Sequence, residues 1–266
     1  MQYALLHLDT QKIIVSKIEE LFGELDKGIE NLKLAQEQLK VYRQSVLKWA
    51  FEGRLTHYNV KEGELPVGWA NTRLGNVAHA VDPQPSHRTP PVVSSGVPFV
   101  SIKDFNSVLD KIDFTFARKV SAKVLDEHID RYTLVQGDFV IGKIGTIGKP
   151  VRVVLPQNYC LSANIVLVQP RNINATYLFY FFQSSLIEKA LSAGTKSTTQ
   201  AAFGIQKVRE LQISLPKEEE QIAIAQEIER RFTLIEQLEN VIQINLKQII
   251  NLRIRILDQA FLGQLI

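Results

Sequence analysis

A segment near the start of the chain recurs at its end: residues 11–56, moved forward by 210 positions, fall on residues 221–266 without a gap. Ile18 meets Ile228, Phe22 meets Phe232, Leu25 meets Ile235 and Leu47 meets Leu257, and Ala50-Phe51-x-Gly53-x-Leu55 meets Ala260-Phe261-x-Gly263-x-Leu265. Such a repeat constrains architecture before any local signal does, because the rest of the chain must fit between two similar elements. Each copy sets an apolar residue at every seventh position: Ile18, Leu25, Leu32, Leu39 and Val46 in the first, Ile228, Ile235, Ile242, Ile249 and Ile256 in the second. Intervening apolar residues such as Ile14, Phe22, Ile29, Phe232 and Leu238 bring the mean spacing near 3.5, the seam of a coiled coil. At about 1.5 Å per residue, each copy predicts a helix of roughly 60 Å.

The first helix runs into the middle of the chain and the second runs out of it, so pairing within one chain is antiparallel. Two homologous antiparallel helices carry a pseudo-two-fold axis across their midpoint, and that axis asks for a second globular unit at the far end. A homodimer supplies it, or a longer chain does. The expected domains are a first long helix (residues 1–56), a polar linker (57–65), a globular domain (66–216) and a second long helix (217–266). The fold class is α+β: one mixed α/β domain flanked by two long, homologous, antiparallel coiled-coil helices.

With 266 residues and 45% apolar content the chain can bury a sizeable core. A single cysteine, Cys160, excludes an internal disulfide framework and a cysteine-based zinc site. No apolar run is long enough to span a membrane, and Met1–Leu6 has no basic lead or cleavage site, so the expected location is the cytoplasm. Charge is unevenly placed: residues 57–216 hold 17 Lys and Arg against 12 Asp and Glu, whereas the helical segments hold 14 against 16. A modest positive excess of this kind permits nucleic-acid binding without requiring it.

In the middle, Leu65-Pro66-Val67-Gly68-Trp69 stops the first helix, and the proline-rich stretch 82–98, with His87 and Arg88, reads as an irregular loop. Strands are expected at Val97–Ile102, Tyr132–Val135, Asp138–Ile144, Val151–Val154 and Ile165–Gln169, and helices at Ala175–Ser185, Leu186–Ala193 and Ile205–Leu211.

Two loops look chemical. Gly142–Pro150 is a glycine-spaced hairpin carrying Lys143, Thr146 and Lys149. It fails as a P-loop, which needs four residues between its glycines and Ser or Thr after the lysine, whereas Pro150 follows Lys149. It can still bring N–H groups and lysines to a phosphate backbone, or be a tight turn with solvated lysines. Gly194-Thr195-Lys196-Ser197-Thr198-Thr199-Gln200 supplies hydroxyls, an amide and a cation, a mix suited to phosphate and base-edge contacts.

Catalytic machinery is missing from the pattern. Thr89-Pro90-Pro91-Val92 echoes the tetrapeptide of amino-methyltransferases but lacks its amide or acid and its aromatic. His7, His57, His79, His87 and His128 show no metal-binding spacing, and Asp126, Glu127 and Asp130 beside His128 read as a solvated cluster.

Taken in order, Leu65-Pro66-x-Gly68-Trp69, Arg73-Leu74-Gly75, Gly137-Asp138-x-Val140, Gly145-Thr146-Ile147-Gly148, the Gly194–Gln200 loop, Leu211-x-Ile213-x-Leu215-Pro216 and Glu219-Glu220-Gln221 lie between the helix copies. Over nearly its whole length the chain resembles the specificity subunit of type I restriction-modification systems, in a half-subunit form with a single target recognition domain. That resemblance implies a non-catalytic DNA reader: the recognition domain reads one half of a split site, and the helices set the gap and dock two adenine methyltransferase subunits. No cofactor is implied in this chain; S-adenosylmethionine belongs to the methyltransferase partner, and a motor-nuclease subunit completes the complex. Full members run domain, helix, domain, helix, whereas this chain runs helix, domain, helix, which fits a homodimer reading an inverted-repeat, interrupted sequence. The expected DNA contacts are Lys143, Thr146, Lys149, Thr195, Lys196, Ser197, Thr198, Thr199 and Gln200, followed by Lys103, His87 and Arg88. A competing reading from another class is a coiled-coil protein-interaction scaffold without DNA binding.

Overall fold

The computed structural model describes residues 7–86, 88–106, 108–143, 149–192 and 204–266. It divides into two compact units, Met1–Ser45 with Glu229–Ile266, and Val46–Ile228.

Two helices of 44 residues each, α1 (Leu8–Phe51) and α6 (Glu218–Phe261), supply the first unit. Pro216 precedes α6 and Glu218, Glu219 and Glu220 occupy its first turn, where acidic groups meet the positive end of the helix dipole. Both helices end at a glycine with positive φ, Gly53 and Gly263, a backbone region that side chains disfavour.

The helices pack antiparallel: Arg253 lies over the Phe22 ring at 5.1 Å and Arg43 over Phe232 at 4.4 Å, so position falls along α6 as it rises along α1. Phe22 and Phe232 are equivalent in the repeat, and so are Arg43 and Arg253. The same cation–π contact is therefore made twice, once in each direction across a pseudo-two-fold axis. Acidic partners complete both ends, Asp26 on Arg253 and Glu239 at 3.6 Å from Arg43. Of the seam residues in this unit, Ile228's neighbours Ile235, Ile242 and Ile256 are buried, while Ile18, Leu25, Leu32, Leu39 and Ile249 are half-buried.

The second unit is the mixed α/β domain with the last turns of α1 and the first turns of α6. Its chain enters and leaves through paired strands: β1 (Ala70–Arg73) runs antiparallel to β11 (Gln212–Leu215), with Ala70 opposite Leu215 and Arg73 opposite Gln212. The main sheet is antiparallel in the order β2-β10-β7-β8, from β2 (Ala78–Val81), β10 (Ile165–Pro170), β7 (Phe139–Gly142) and β8 (Pro150–Arg152).

A second sheet orders β6 (Arg118–Val120), β3 (Val97–Val100) and β9 (Cys160–Leu161), with β3 and β9 parallel. A hairpin of β4 (Phe105–Asn106) and β5 (Lys111–Ile112) and the helix α2 (Ala122–Arg131) complete this side. Strands β7 and β10 are buried almost throughout, as continuous apolar runs allow. Their residues Val140, Ile165 and Leu167 join Val100, Tyr159 and Leu161 in the main core cluster.

The helix α3 (Ala175–Gln183) is capped by Asn174, whose side chain accepts from Tyr177 N–H. Its aromatic run packs as the sequence suggests, with Phe179 and Phe182 at 5.6 and 5.2 Å from the Phe139 ring in edge-on contacts. Phe51, the last residue of α1, sits edge-on against Tyr177 and Phe181 at 5.1 and 5.3 Å. Two short helices, α4 (Ser185–Ser192) and α5 (Ile205–Arg209), follow α3.

The expected strand at Tyr132–Val135 is extended but pairs with no strand. Its N–H groups go elsewhere: Tyr132 to His128 O, Leu134 to the Gln157 side chain and Val135 to Asp138. One backbone carbonyl and two side-chain acceptors stand in for the ladder. Helix α2, strand β2 and the β1–β11 pair had no counterpart among the expected elements.

The Glu219-Glu220-Gln221 motif has a structural role. Glu220 accepts from Thr56 Oγ1 at 2.8 Å and Trp69 Nε1 at 3.0 Å and lies 2.7 Å from His57 Nε2. Gln221, 4% exposed, accepts from Asn174 N–H and donates to Pro216 O. One carboxylate thus ties the segment entering the domain to the helix leaving it. Glu220→Ala is expected to cost about 2 kcal/mol in urea unfolding followed by tryptophan fluorescence. An unchanged midpoint would show that water replaces the carboxylate without loss.

Candidate nucleic-acid interface

Strands β2 and β7 both run antiparallel to β10, with Val81 opposite Leu167 and Gly142 opposite Ile165. They therefore end at the same end of the sheet, where β10 begins. At that end the chain leaves β2 at Asp82 and β7 at Lys143, residues that lie 61 positions apart in the sequence.

An ion pair joins them. Lys143 Nζ donates to Asp82 Oδ2 at 2.8 Å, and the Lys143 side chain is 8% exposed. Asp82 also accepts from Gln84 N–H through Oδ1. Lys143 is thus placed beneath the loop with its ammonium engaged, while Lys149 at the other side of the hairpin is exposed.

The loop is also held from below. Gln84 Oε1 lies 2.7 Å from His128 Nε2, and His128 Nδ1 lies 2.7 Å from Tyr132 Oη, which accepts from Leu161 N–H at 3.3 Å. An amide oxygen only accepts, so His128 carries its proton on Nε2, and Tyr132 donates to Nδ1. The Gln84 amide then donates to Ser86 Oγ and Arg88 O, and Arg131 donates to Pro83 O. Burial, with the nearby Arg131 charge, pushes the His128 imidazole down to about 4. The imidazole is neutral at neutral pH and serves as a fixed strut.

The sequence reading treats His128 as part of a solvated cluster with Asp126, Glu127 and Asp130. The helix separates them: His128 is 1% exposed, and the three acids are exposed. The i, i+4 relation of His128 to Tyr132 was the available signal.

Arg88 and Lys103 are exposed. His87, Thr146 and the loop residues Thr195, Lys196, Ser197, Thr198, Thr199 and Gln200 lie outside the described residues. The flanks of that last loop are described: Lys207 Nζ on α5 donates to Leu191 O on α4 at 2.8 Å. Arg209 on α5 donates to Ala80 O, holding the edge strand β2. The structure thus brings Asp82 and Gln84 of the segment after β2 together with Lys143 of the segment after β7 at one end of the sheet, and Arg88 and Lys149 are exposed. Asp82, Gln84 and Arg131 escaped the sequence reading, and His128 entered it only as a neighbour of the exposed acids.

Among the described residues no group of His, Cys, Asp or Glu is placed to hold a metal ion. No described helix is long and apolar enough to cross a membrane.

Residues 66–248 match the family described as type I restriction modification DNA specificity domain. The chain is 26% identical to the type I restriction enzyme EcoBI specificity subunit of Escherichia coli, covering 97% of this chain and 57% of that protein. To the EcoKI specificity subunit of Escherichia coli strain K12 it is 22% identical over 97% of this chain and 56% of that protein. The chain therefore spans little more than half the length of these relatives. Among solved structures, a chain from a study of type I R-M complex assembly and conformational transition superposes with a TM-score of 0.75 at 22% identity, covering 98% of this chain and 61% of that one. The HsdS subunit from Thermoanaerobacter tengcongensis gives 0.62 at 22% identity, covering 97% and 59%. At that identity these two likenesses establish a shared fold.

Proposed function

Because the chain belongs to the type I restriction modification DNA specificity domain family, we propose that it is a DNA-reading specificity subunit with one target recognition domain. It reads one half of a bipartite site and docks adenine methyltransferase subunits, which carry S-adenosylmethionine, in a complex completed by a motor-nuclease subunit. It works in the cytoplasm, where that DNA is, and performs no catalysis itself. The observation that carries this reading is the family match across 66–248, on an α/β domain framed in sequence by two homologous helices.

The contacts assigned to DNA are the exposed Lys149, Arg88 and Lys103, with His87, Thr146 and the Thr195–Gln200 loop. Lysines and hydroxyls on phosphate set the register, while Arg88 or Gln200 addresses a base edge. Lys196→Ala is expected to weaken binding across sequences and lower the salt slope by about one.

The same reading has two chains acting as a homodimer on an inverted repeat. The pseudo-two-fold axis of the helix pair supports it, and so do the apolar residues left outside the intrachain seam. Leu234, Leu238 and Val241, at i, i+4 and i+7 of α6, are 47%, 52% and 52% exposed.

The test is light scattering on the chain alone and with its methyltransferase, followed by mapping of the methylated site. Twice the 30.1 kDa chain mass, two methyltransferases bound and a symmetric interrupted site are expected. A chain that neither recruits a methyltransferase nor confers DNA affinity on it overturns the reading.

A further inference from the structure

The second sheet reaches the same end of the α/β domain as the ion pair of Asp82 and Lys143. β9 runs parallel to β3 and continues into Ser162, whose N–H donates to Val100 O at 2.8 Å. Further along the same segment, Asn164 O accepts from Lys143 N–H at 2.9 Å. The last residue of β3 thus lies close to Lys143. β6 is antiparallel to β3, with Arg118 opposite Phe99, so it begins where β3 ends.

Two short segments stand on those strand ends. After β3 comes a single helical turn, Ile102–Asp104, closed by the buried Asp104, whose Oδ2 accepts from Ser101 N–H and Oγ at 2.8 and 2.9 Å. Before β6 comes a β-turn in which Ala117 N–H donates to Phe114 O at 3.2 Å. Backbone contacts fasten the two segments together at both ends, through the pairing of Phe99 with Arg118 and through Asp113 N–H on Asp104 O at 2.8 Å. Phe114 anchors the β-turn by packing on the main core cluster, its ring 5.2 Å from that of Tyr159. Phe116, the third residue of this fixed turn, is 83% exposed.

The tip combines that aromatic with cations. Lys103 on the helical turn and Arg118 at the start of β6 are exposed. The nearby acids are engaged: Asp104 with Ser101, Asp113 with Thr115 N–H at 2.9 Å, and Asp110 with Arg152 N–H at 2.7 Å. Exposed lysine and arginine beside the ring favour a polyanion over an apolar protein face. Duplex DNA offers both parts, phosphates for the cations and a base step for the ring.

We propose that Phe116 is a wedge that enters DNA at a base step, with Arg118 and Lys103 on the flanking phosphates. The ring replaces stacking that opening the step removes, and the mounted turn needs little further ordering on binding. Base steps differ in how easily they open, so the wedge adds a readout of deformability to the base-edge contacts. This inference rests on the DNA-reading function proposed above and adds how the duplex is gripped.

The test uses the full chain with its methyltransferase and a duplex carrying the mapped methylation site. A fluorescent base that brightens when unstacked is placed at each position of that duplex in turn. The wild type is expected to brighten one step. Phe116→Ala is expected to abolish that signal and weaken binding about tenfold at an unchanged salt slope, whereas Phe116→Leu, also a wedge-forming side chain, retains the signal. Arg118→Ala is expected to lower the salt slope by about one. Both positions are exposed, so these variants keep the fold. If Lys149→Ala lowers the slope but Phe116→Ala behaves as wild type, the wedge is overturned and the DNA reader stands. If Phe116→Ala instead abolishes methyltransferase recruitment in light scattering, the turn docks protein and the wedge is again overturned. A chain that confers no DNA affinity overturns both.

Discussion

Asp82→Ala is expected to destabilise the α/β domain by about 3–5 kcal/mol, whereas Lys143→Met at the other end of the same ion pair is expected to cost far less. The asymmetry follows from burial. The Lys143 side chain is 8% exposed and that of Asp82 21%, so removing the aspartate strands a buried ammonium, while methionine keeps the apolar stem and leaves a carboxylate that water and Gln84 N–H can satisfy. Urea unfolding of both variants measures the difference, and equal costs would mean that solvent reaches the ammonium freely. DNA titrations of the same variants separate two roles for the hairpin lysines. With its ammonium held by Asp82, Lys143→Met should leave the salt slope unchanged, whereas Lys149→Ala should lower it by about one. A reduced slope for Lys143→Met would show that the ion pair opens when DNA binds.

Stability is expected to fall by up to about 3 kcal/mol as pH drops from about 6.5 to about 4, through His128. Across that window the unfolded chain protonates this imidazole and the folded chain does not, so each proton taken up favours unfolding; below about 4 both states carry it. The buried Asp138 acts in the opposite sense. Burial raises its carboxyl above the usual range, so its contribution is present at low pH and is lost as pH rises through its folded value. Comparing melting temperature against pH for the wild type and His128→Gln isolates the imidazole, since Asp138 is common to both. Parallel curves would assign the acid sensitivity to other groups. Because His128 holds Gln84, and Gln84 holds Arg88 O, DNA affinity should fall only as pH approaches about 4, where the folded imidazole itself takes up a proton.

The helices were legible because one chemical pattern repeats along them: a heptad seam is local, and the same Phe and Arg recur 210 positions on. The order of strands was not. β2 is four residues long and pairs with β10 86 to 92 positions away, and β1 with β11 across 139 to 145, so their partners are set by the closing of the domain and leave no local signature. The glycine and lysine spacing over 142–150 could not tell Lys143 from Lys149. What separates them is Asp82, an acid 61 residues earlier that only the sheet brings near. His128 was read from its acidic neighbours in sequence, when its surroundings in the fold are Tyr132, Gln84 and Phe99.

The β1–β11 ladder bonds the domain's first residues to its last, with Glu220 pinning Trp69 immediately outside. On the proposed reading the assigned DNA contacts all lie between Arg73 and Gln212, inside joints made of backbone hydrogen bonds and a few side chains. A crossover between two genes at these joints would then exchange those contacts while leaving the helical frame as it was, so a new target site would arise in one recombination event rather than by the accumulation of single changes.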